Sequence, residues 1–197
     1  MNIALFGTSG DPPTIGHQRI LEWLSDRYDL VVVWVSNNPF KSHQTSLEDR
    51  IAMMRLLIAE IIAESDHPNL ELHPEISNPY SLITVKQAQK IWQGAEFTLV
   101  IGGDLIEQIA NWYQAEELLQ QVKILVVDRR GYQISESHLT NLQIKGAKVA
   151  IADLVVPEIS STNYRKNGDQ SGIIPSIAQY IYTNNLYQWE ETNPNTP

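Results

Sequence analysis

Apolar positions along the chain follow two rhythms in alternation. Unbroken runs at residues 3–6, 30–35, 97–101 and 123–127 read as strands buried on both faces, and shorter stretches at 69–72 and 148–152 bring the set to six. Between them the spacing changes to three and four. His17, Ile20, Leu21 and Leu24 share one helical face, as do Leu47, Ile51, Met54, Ile58 and Ile61. Helices also read from Pro79 and Ser81 towards Gly94, through Leu118 and Leu119 to Gln121, over a short stretch after Pro157 that opens at Ser160, and after Pro175 with Ile177, Tyr180 and Ile181 facing inward. Thr45 or Ser46 is placed to cap the second helix and Ser81 the third. Strand and helix in alternation predict an α/β fold, a doubly wound parallel sheet of Rossmann-like type with right-handed crossovers. One domain over residues 1–189 and a polar tail at 190–197 complete the expected layout.

In such a sheet the loops that follow the strands gather at one edge, where ligands bind. The turn after the first strand runs from Gly7, Thr8 and Ser9 through Asp11, Pro12 and Thr14 to Gly16 and His17. Its glycines let backbone approach a ligand, and Gly16 and His17 fall in the first helical turn, where free N–H groups favour phosphate. A histidine there can stabilise charge that develops during transfer. Neither Gly-x-Gly-x-x-Gly nor Gly-Lys-Ser/Thr is present, and an ordinary turn has the same composition. Lys41 and His43 follow the second strand, as phosphate contacts or as a solvated loop. Asp104 follows Gly102 and Gly103, as a helix cap or as a partner for a sugar hydroxyl. Trp112 and Tyr113 read as core packing or as a stacking wall. Arg129 and Arg130 end the fifth strand. Ser160, Ser161 and Thr162 offer three hydroxyls where one cap suffices, with Arg165 a turn later, which points to phosphate. Arg50 and Arg55 read as helix-surface or loop-bracing charges.

Composition narrows the classes. The chain has 197 residues, 43% of them apolar, enough for one core. A net charge of −9 argues against a broad nucleic-acid or anionic-membrane surface. With no cysteine, disulfides, thiolate metal sites and a cysteine nucleophile are excluded. The apolar runs are too short to span a bilayer, and the first strand begins too early for a signal peptide, so a cytoplasmic protein is expected. Nothing in the pattern fixes an oligomeric state.

These stretches together resemble the bacterial nicotinate-mononucleotide adenylyltransferases, of the nucleotidyltransferase superfamily with a His- or Thr-x-Gly-His signature. The likeness runs from Met1 to about Tyr187. Gly7, Asp11, Pro12, Gly16 and His17 match the family's first motif, and Ser9 keeps its hydroxyl. Ser160, Ser161, Thr162 and Arg165 match its Ser-Ser-Thr-x-x-Arg segment. Residues 101–104 with Trp112, Tyr113, Leu118 and Leu119 resemble its middle motif, Pro79, Tyr80, Ser81 and Thr84 its Ser-Tyr-Thr-x-x-Thr segment, and residues 127–131 its Arg-Pro-Gly turn. The chain departs from the pattern with Thr14 in place of histidine, Gly10 in place of phenylalanine, Phe40 ahead of Lys41, and Arg130 in place of proline. The resemblance implies a nucleotidyltransferase-type fold and adenylyl transfer from ATP to nicotinate mononucleotide. It implies His17, Thr14 and Arg165 as catalytic residues. ATP would be held by Gly7, Gly16, His17, Lys41, Gly102, Asp104, Ser161, Thr162 and Arg165. The mononucleotide would be held by Thr8, Ser9, Lys41, Tyr80, Ser81, Trp112 and Arg129. Mg²⁺ is expected with ATP, and no dedicated protein metal site. Thr14 keeps a phosphopantetheine adenylyltransferase open as an alternative, with nicotinamide mononucleotide as another acceptor. Thr14 and Phe40 together leave a non-catalytic nucleotide-binding regulator as a third reading.

Overall fold

The computed structural model describes residues 1–37, 45–64, 69–128, 136–157, 159 and 161–187. Strands β1 (Asn2–Thr8), β2 (Leu30–Val35), β3 (Leu70–Leu72), β4 (Glu96–Gly102), β5 (Lys123–Val127) and β6 (Lys148–Ile151) alternate with helices α1 (Ile15–Ser25), α2 (Leu47–Glu64), α3 (Ser81–Ile91), α4 (Ala115–Gln121) and α5 (Glu136–Ile144). Two more helices, α6 (Ser161–Asn167) and α7 (Pro175–Thr183), follow β6. The six strands form one parallel sheet in the order β3-β2-β1-β4-β5-β6. This is the expected doubly wound α/β architecture in a single domain.

Every residue of β2 is buried, as a strand covered on both faces requires. One face packs Ala4, Phe6, Val31, Val33 and Val100 under α1, α2 and α7. The other packs Leu5, Val32, Trp34, Leu99 and Ile101 against α3, α4 and α5. Helix α5 is the element that the apolar rhythm does not announce. Leu142 is its one buried residue, and what demands it is the crossover between parallel β5 and β6. At the third helix the expected cap differs. Tyr80 takes the N-cap position and Ser81 is the first helical residue, while Asn78 Oδ1 accepts the Tyr80 N–H at 3.0 Å. At the second, Ser46 Oγ accepts the Asp49 N–H at 3.0 Å and so does the capping, which leaves Thr45 for another partner. Among the described residues no helix is long and apolar enough to cross a membrane.

Chain order reverses between β1 and β4, the two central strands: β2 and β3 lie to one side, β5 and β6 to the other. A crevice opens at their carboxyl ends, as the topology requires.

Candidate active site

The crevice is a cleft of about 1000 Å³, lined among others by Gly7, Thr8, Ser9, His17, Tyr80, Ser81, Gly102, Asp104, Trp112, Ser161, Thr162 and Arg165. Gly7 and Arg165, 158 positions apart in the chain, thus share one space. A smaller cavity of about 350 Å³ lies at the amino edge of β5 and β6, beside Lys123 and Lys148, and holds none of the candidate residues.

His17 stands at the third position of α1 and is 6% exposed. Its Nδ1 accepts the Thr14 backbone N–H at 3.1 Å, with Thr14 Oγ1 at 3.0 Å from the same nitrogen. A backbone N–H can only donate, so Nδ1 carries a lone pair and the proton of the neutral ring sits on Nε2. Nε2 lies 2.9 Å from Thr8 Oγ1, on the cleft side. The turn therefore fixes the tautomer and aims a donor into the cleft. Thr14 is buried behind the imidazole and does not line the cleft. Gly16 does not line it either. A Cβ at Gly16 would touch Thr14 Oγ1, Val156 and the Ile159 carbonyl at 3.4–3.5 Å, so this glycine seats Val156 and Ile159 against α1. Gly10 has φ +53°, the left-handed region that suits the glycine standing where the motif it resembles has phenylalanine.

The far side of the turn is tied to α6. Ser161 Oγ donates to the Pro12 carbonyl at 2.7 Å, and Arg165 Nη1 to the Asp11 carbonyl at 2.6 Å. Arg165 Nη2 donates to Thr162 Oγ1 at 3.2 Å. Asp11, 1% exposed, accepts on Oδ1 from the Tyr187 hydroxyl at 2.6 Å and the Thr45 hydroxyl at 2.8 Å. Burial, with the hydrogen bond to Asp11, pushes the Tyr187 phenol far above its ordinary value, so it remains a donor. Arg50, read from sequence as a helix-surface or bracing charge, is wholly buried. Its Nη1 donates to the carbonyls of Ser9 and Ser36 at 2.9 Å each and so braces the loops after β1 and β2. Burial lowers its pKa, partly offset by the nearby Asp11 charge.

The opposite wall is aromatic. Tyr80 and Tyr113 pack with ring centroids 4.7 Å apart at its rim, beside Trp112. The loop that carries Tyr80 is fastened where Ser77 Oγ donates to the Val35 carbonyl at 3.0 Å. Asp104 turns its carboxylate back over Gly102, where a Cβ would collide with Oδ1; it makes no helix cap. The floor of this wall is Trp34, a residue its apolar run marks only as strand. Its ring lies over Gly7, so it is a tryptophan, rather than a ligand, that uses the space of the missing side chain there. Lys41, Phe40, His43, Arg129, Arg130 and Ser160 lie outside the described residues.

The family model described as cytidylyltransferase-like matches residues 5–167. A protein of Synechocystis sp., named a probable nicotinate-nucleotide adenylyltransferase, is 38% identical over 202 residues, covering 95% of this chain and 100% of that one. A protein of the same name from Chlorobium phaeobacteroides is 33% identical over 204 residues, covering 95% and 100%. The structure of Plasmodium falciparum nicotinic acid mononucleotide adenylyltransferase complexed with NaAD superposes with a TM-score of 0.78 over 96% of this chain and 98% of that one; at 22% identity this likeness shows the fold. The chain belongs to the cytidylyltransferase-like family, and within it to the nicotinate-nucleotide adenylyltransferases.

Proposed function

We propose that the chain transfers the adenylyl group of ATP to nicotinate mononucleotide, giving nicotinate adenine dinucleotide and pyrophosphate in NAD biosynthesis. The observation that carries this reading is the cleft with two unlike walls, His17, Ser161 and Arg165 on one and Trp34, Tyr80 and Trp112 on the other. The first suits phosphates; the second suits a flat ring. An oxygen of the mononucleotide phosphate attacks the α-phosphorus, a P–O bond forms, and the bond to the β-phosphate oxygen breaks with pyrophosphate taking the electron pair. A phosphate is already a nucleophile, so positioning and charge stabilisation suffice.

In this reading the Nε2–H of His17 reaches the α-phosphate, and Thr14 acts through the imidazole by holding its tautomer. Ser161, Thr162 and Arg165 hold the β- and γ-phosphates, with Gly102 and Asp104 along the adenosine ribose. Thr8 and Ser9 face the mononucleotide phosphate, Trp112 stacks on the pyridine ring, and Tyr80 and Ser81 bracket its carboxylate. Lys41 and Arg129 add phosphate contacts on the strength of the sequence motif. Of the carboxylates lining the cleft, Asp11 is committed to Tyr187 and Thr45, which leaves Asp104, so Mg²⁺ enters with ATP and is held chiefly by phosphate oxygens and water. When bound it neutralises charge on the departing pyrophosphate.

Pyrophosphate release decides the matter. With ATP, nicotinate mononucleotide is expected to turn over faster than nicotinamide mononucleotide, and phosphopantetheine not at all. Faster turnover of phosphopantetheine would favour the reading that Thr14 kept open. Binding of ATP with no release on any acceptor would mark a regulator.

A further inference from the structure

Trp34 lines the cleft but belongs to none of the sequence motifs and has been given no contact to substrate. It is 95% buried, since 5% of its surface is exposed. Its register partner on β1 is Gly7, and a Cβ built there would meet the Cζ2, Cε2 and Nε1 edge of the indole. The nitrogen-bearing edge thus lies at the mouth of β1, at the floor of the aromatic wall. The indole nitrogen is a donor only, and it has no hydrogen-bond partner among the described residues. The nitrogen is not enclosed by protein but opens onto the cleft, where a ligand or water can supply the acceptor.

On the reading that the acceptor substrate is a pyridine mononucleotide, we propose that the Trp34 indole N–H donates to the carboxylate on its ring, and that Trp34 is thereby a specificity residue. The pieces fit one geometry. Trp112, Tyr80 and Tyr113 line the same cleft as Trp34, so a ring stacked on them shares one space with the indole N–H. A donor-only group bonds an anionic oxygen about twice as strongly as a neutral one, which separates a ring carboxylate from a ring carboxamide of the same shape.

Trp34→Phe tests this, because phenylalanine keeps an aromatic ring over Gly7 and removes the N–H. Wild-type turnover on nicotinate mononucleotide is measured first; its absence would sink the parent reading. Given turnover, the variant is expected to raise KM for nicotinate mononucleotide about tenfold. KM for nicotinamide mononucleotide should rise less than threefold and KM for ATP less than twofold. Equal rises for both mononucleotides, no rise, or a rise confined to ATP would overturn the assignment. The second measurement uses wild-type protein. Its five tryptophans give five indole N–H resonances, assigned by the Phe variants of Trp23, Trp92, Trp112 and Trp189 in turn. Nicotinate mononucleotide should shift the Trp34 resonance downfield, and nicotinamide mononucleotide should shift it less. A Trp34 resonance that stays in place with nicotinate mononucleotide at saturation would overturn the assignment, even if Trp34→Phe fails to fold.

Discussion

At the scale of single residues, the cleft depends on what stands behind each group as much as on the group itself. His17 presents Nε2–H because the Thr14 N–H occupies Nδ1 at 3.1 Å. The backbone sets the tautomer, and the Thr14 hydroxyl adds a second contact to the same nitrogen. The two residues should therefore respond unequally to mutation. His17→Ala is expected to lower kcat about a hundredfold or more, the loss typical of one transition-state donor. Thr14→Val keeps the backbone donor and should cost only a few-fold, seen in steady-state pyrophosphate release. A Thr14→Val loss as large as that of His17→Ala would give the hydroxyl a role at the phosphate itself. The Gly-His spacing was legible in the sequence, because strand, turn and helix all agreed on where the histidine would stand. The direction of its ring was not, since that depends on one hydrogen bond of known length.

At the scale of elements, the strands carry the design and the loops inherit their places from it. All six strands were legible, because a parallel sheet covered on both faces leaves continuous apolar runs. Helix α5 was not, because one buried leucine makes no rhythm. Trp34 was hidden for the opposite reason: inside a run of valines it read as one more core residue, and only the register that sets it against Gly7 places it in the cleft. The end of β3 has a charge device of its own. His73 Nε2 lies 2.8 Å from Glu71 and Nδ1 2.6 Å from Glu75, with Trp92 edge-on at 5.0 Å. Burial opposes the charge on the imidazole, but bonds to the two glutamates outweigh it, and the pKa rises above the ordinary 6.5. A histidine whose folded pKa is raised lends stability below its unfolded pKa and loses it as pH rises through the folded one. The stability gap between wild type and His73→Gln, measured by urea unfolding, should therefore be wider at about pH 6 than at about pH 8.5. A gap that does not change with pH would mean the imidazole is held by packing alone.

At the scale of the whole molecule, the turn after β1 is held from three directions. Arg50 on α2 reaches the Ser9 carbonyl, Arg165 on α6 reaches the Asp11 carbonyl, and Tyr187 beyond α7 reaches the Asp11 carboxylate. Both arginines and Asp11 were visible as residues, but the sequence offers no reason to join Tyr187 to Asp11. Tyr187→Phe removes a hydroxyl that donates to Asp11 Oδ1 beside that of Thr45 and is expected to cost about 1–2 kcal/mol in urea unfolding. An unchanged unfolding midpoint would show that the other partners of Asp11, Thr45 among them, satisfy the carboxylate.

The bond from Tyr187 to Asp11 spans 176 positions, so it joins the turn after β1 to the segment beyond α7. While the chain is still being threaded out of the ribosome, β1 and its turn have emerged but lack the hydroxyl that completes Asp11. The hydrogen bonding around Asp11 is thus complete only once residue 187 has emerged.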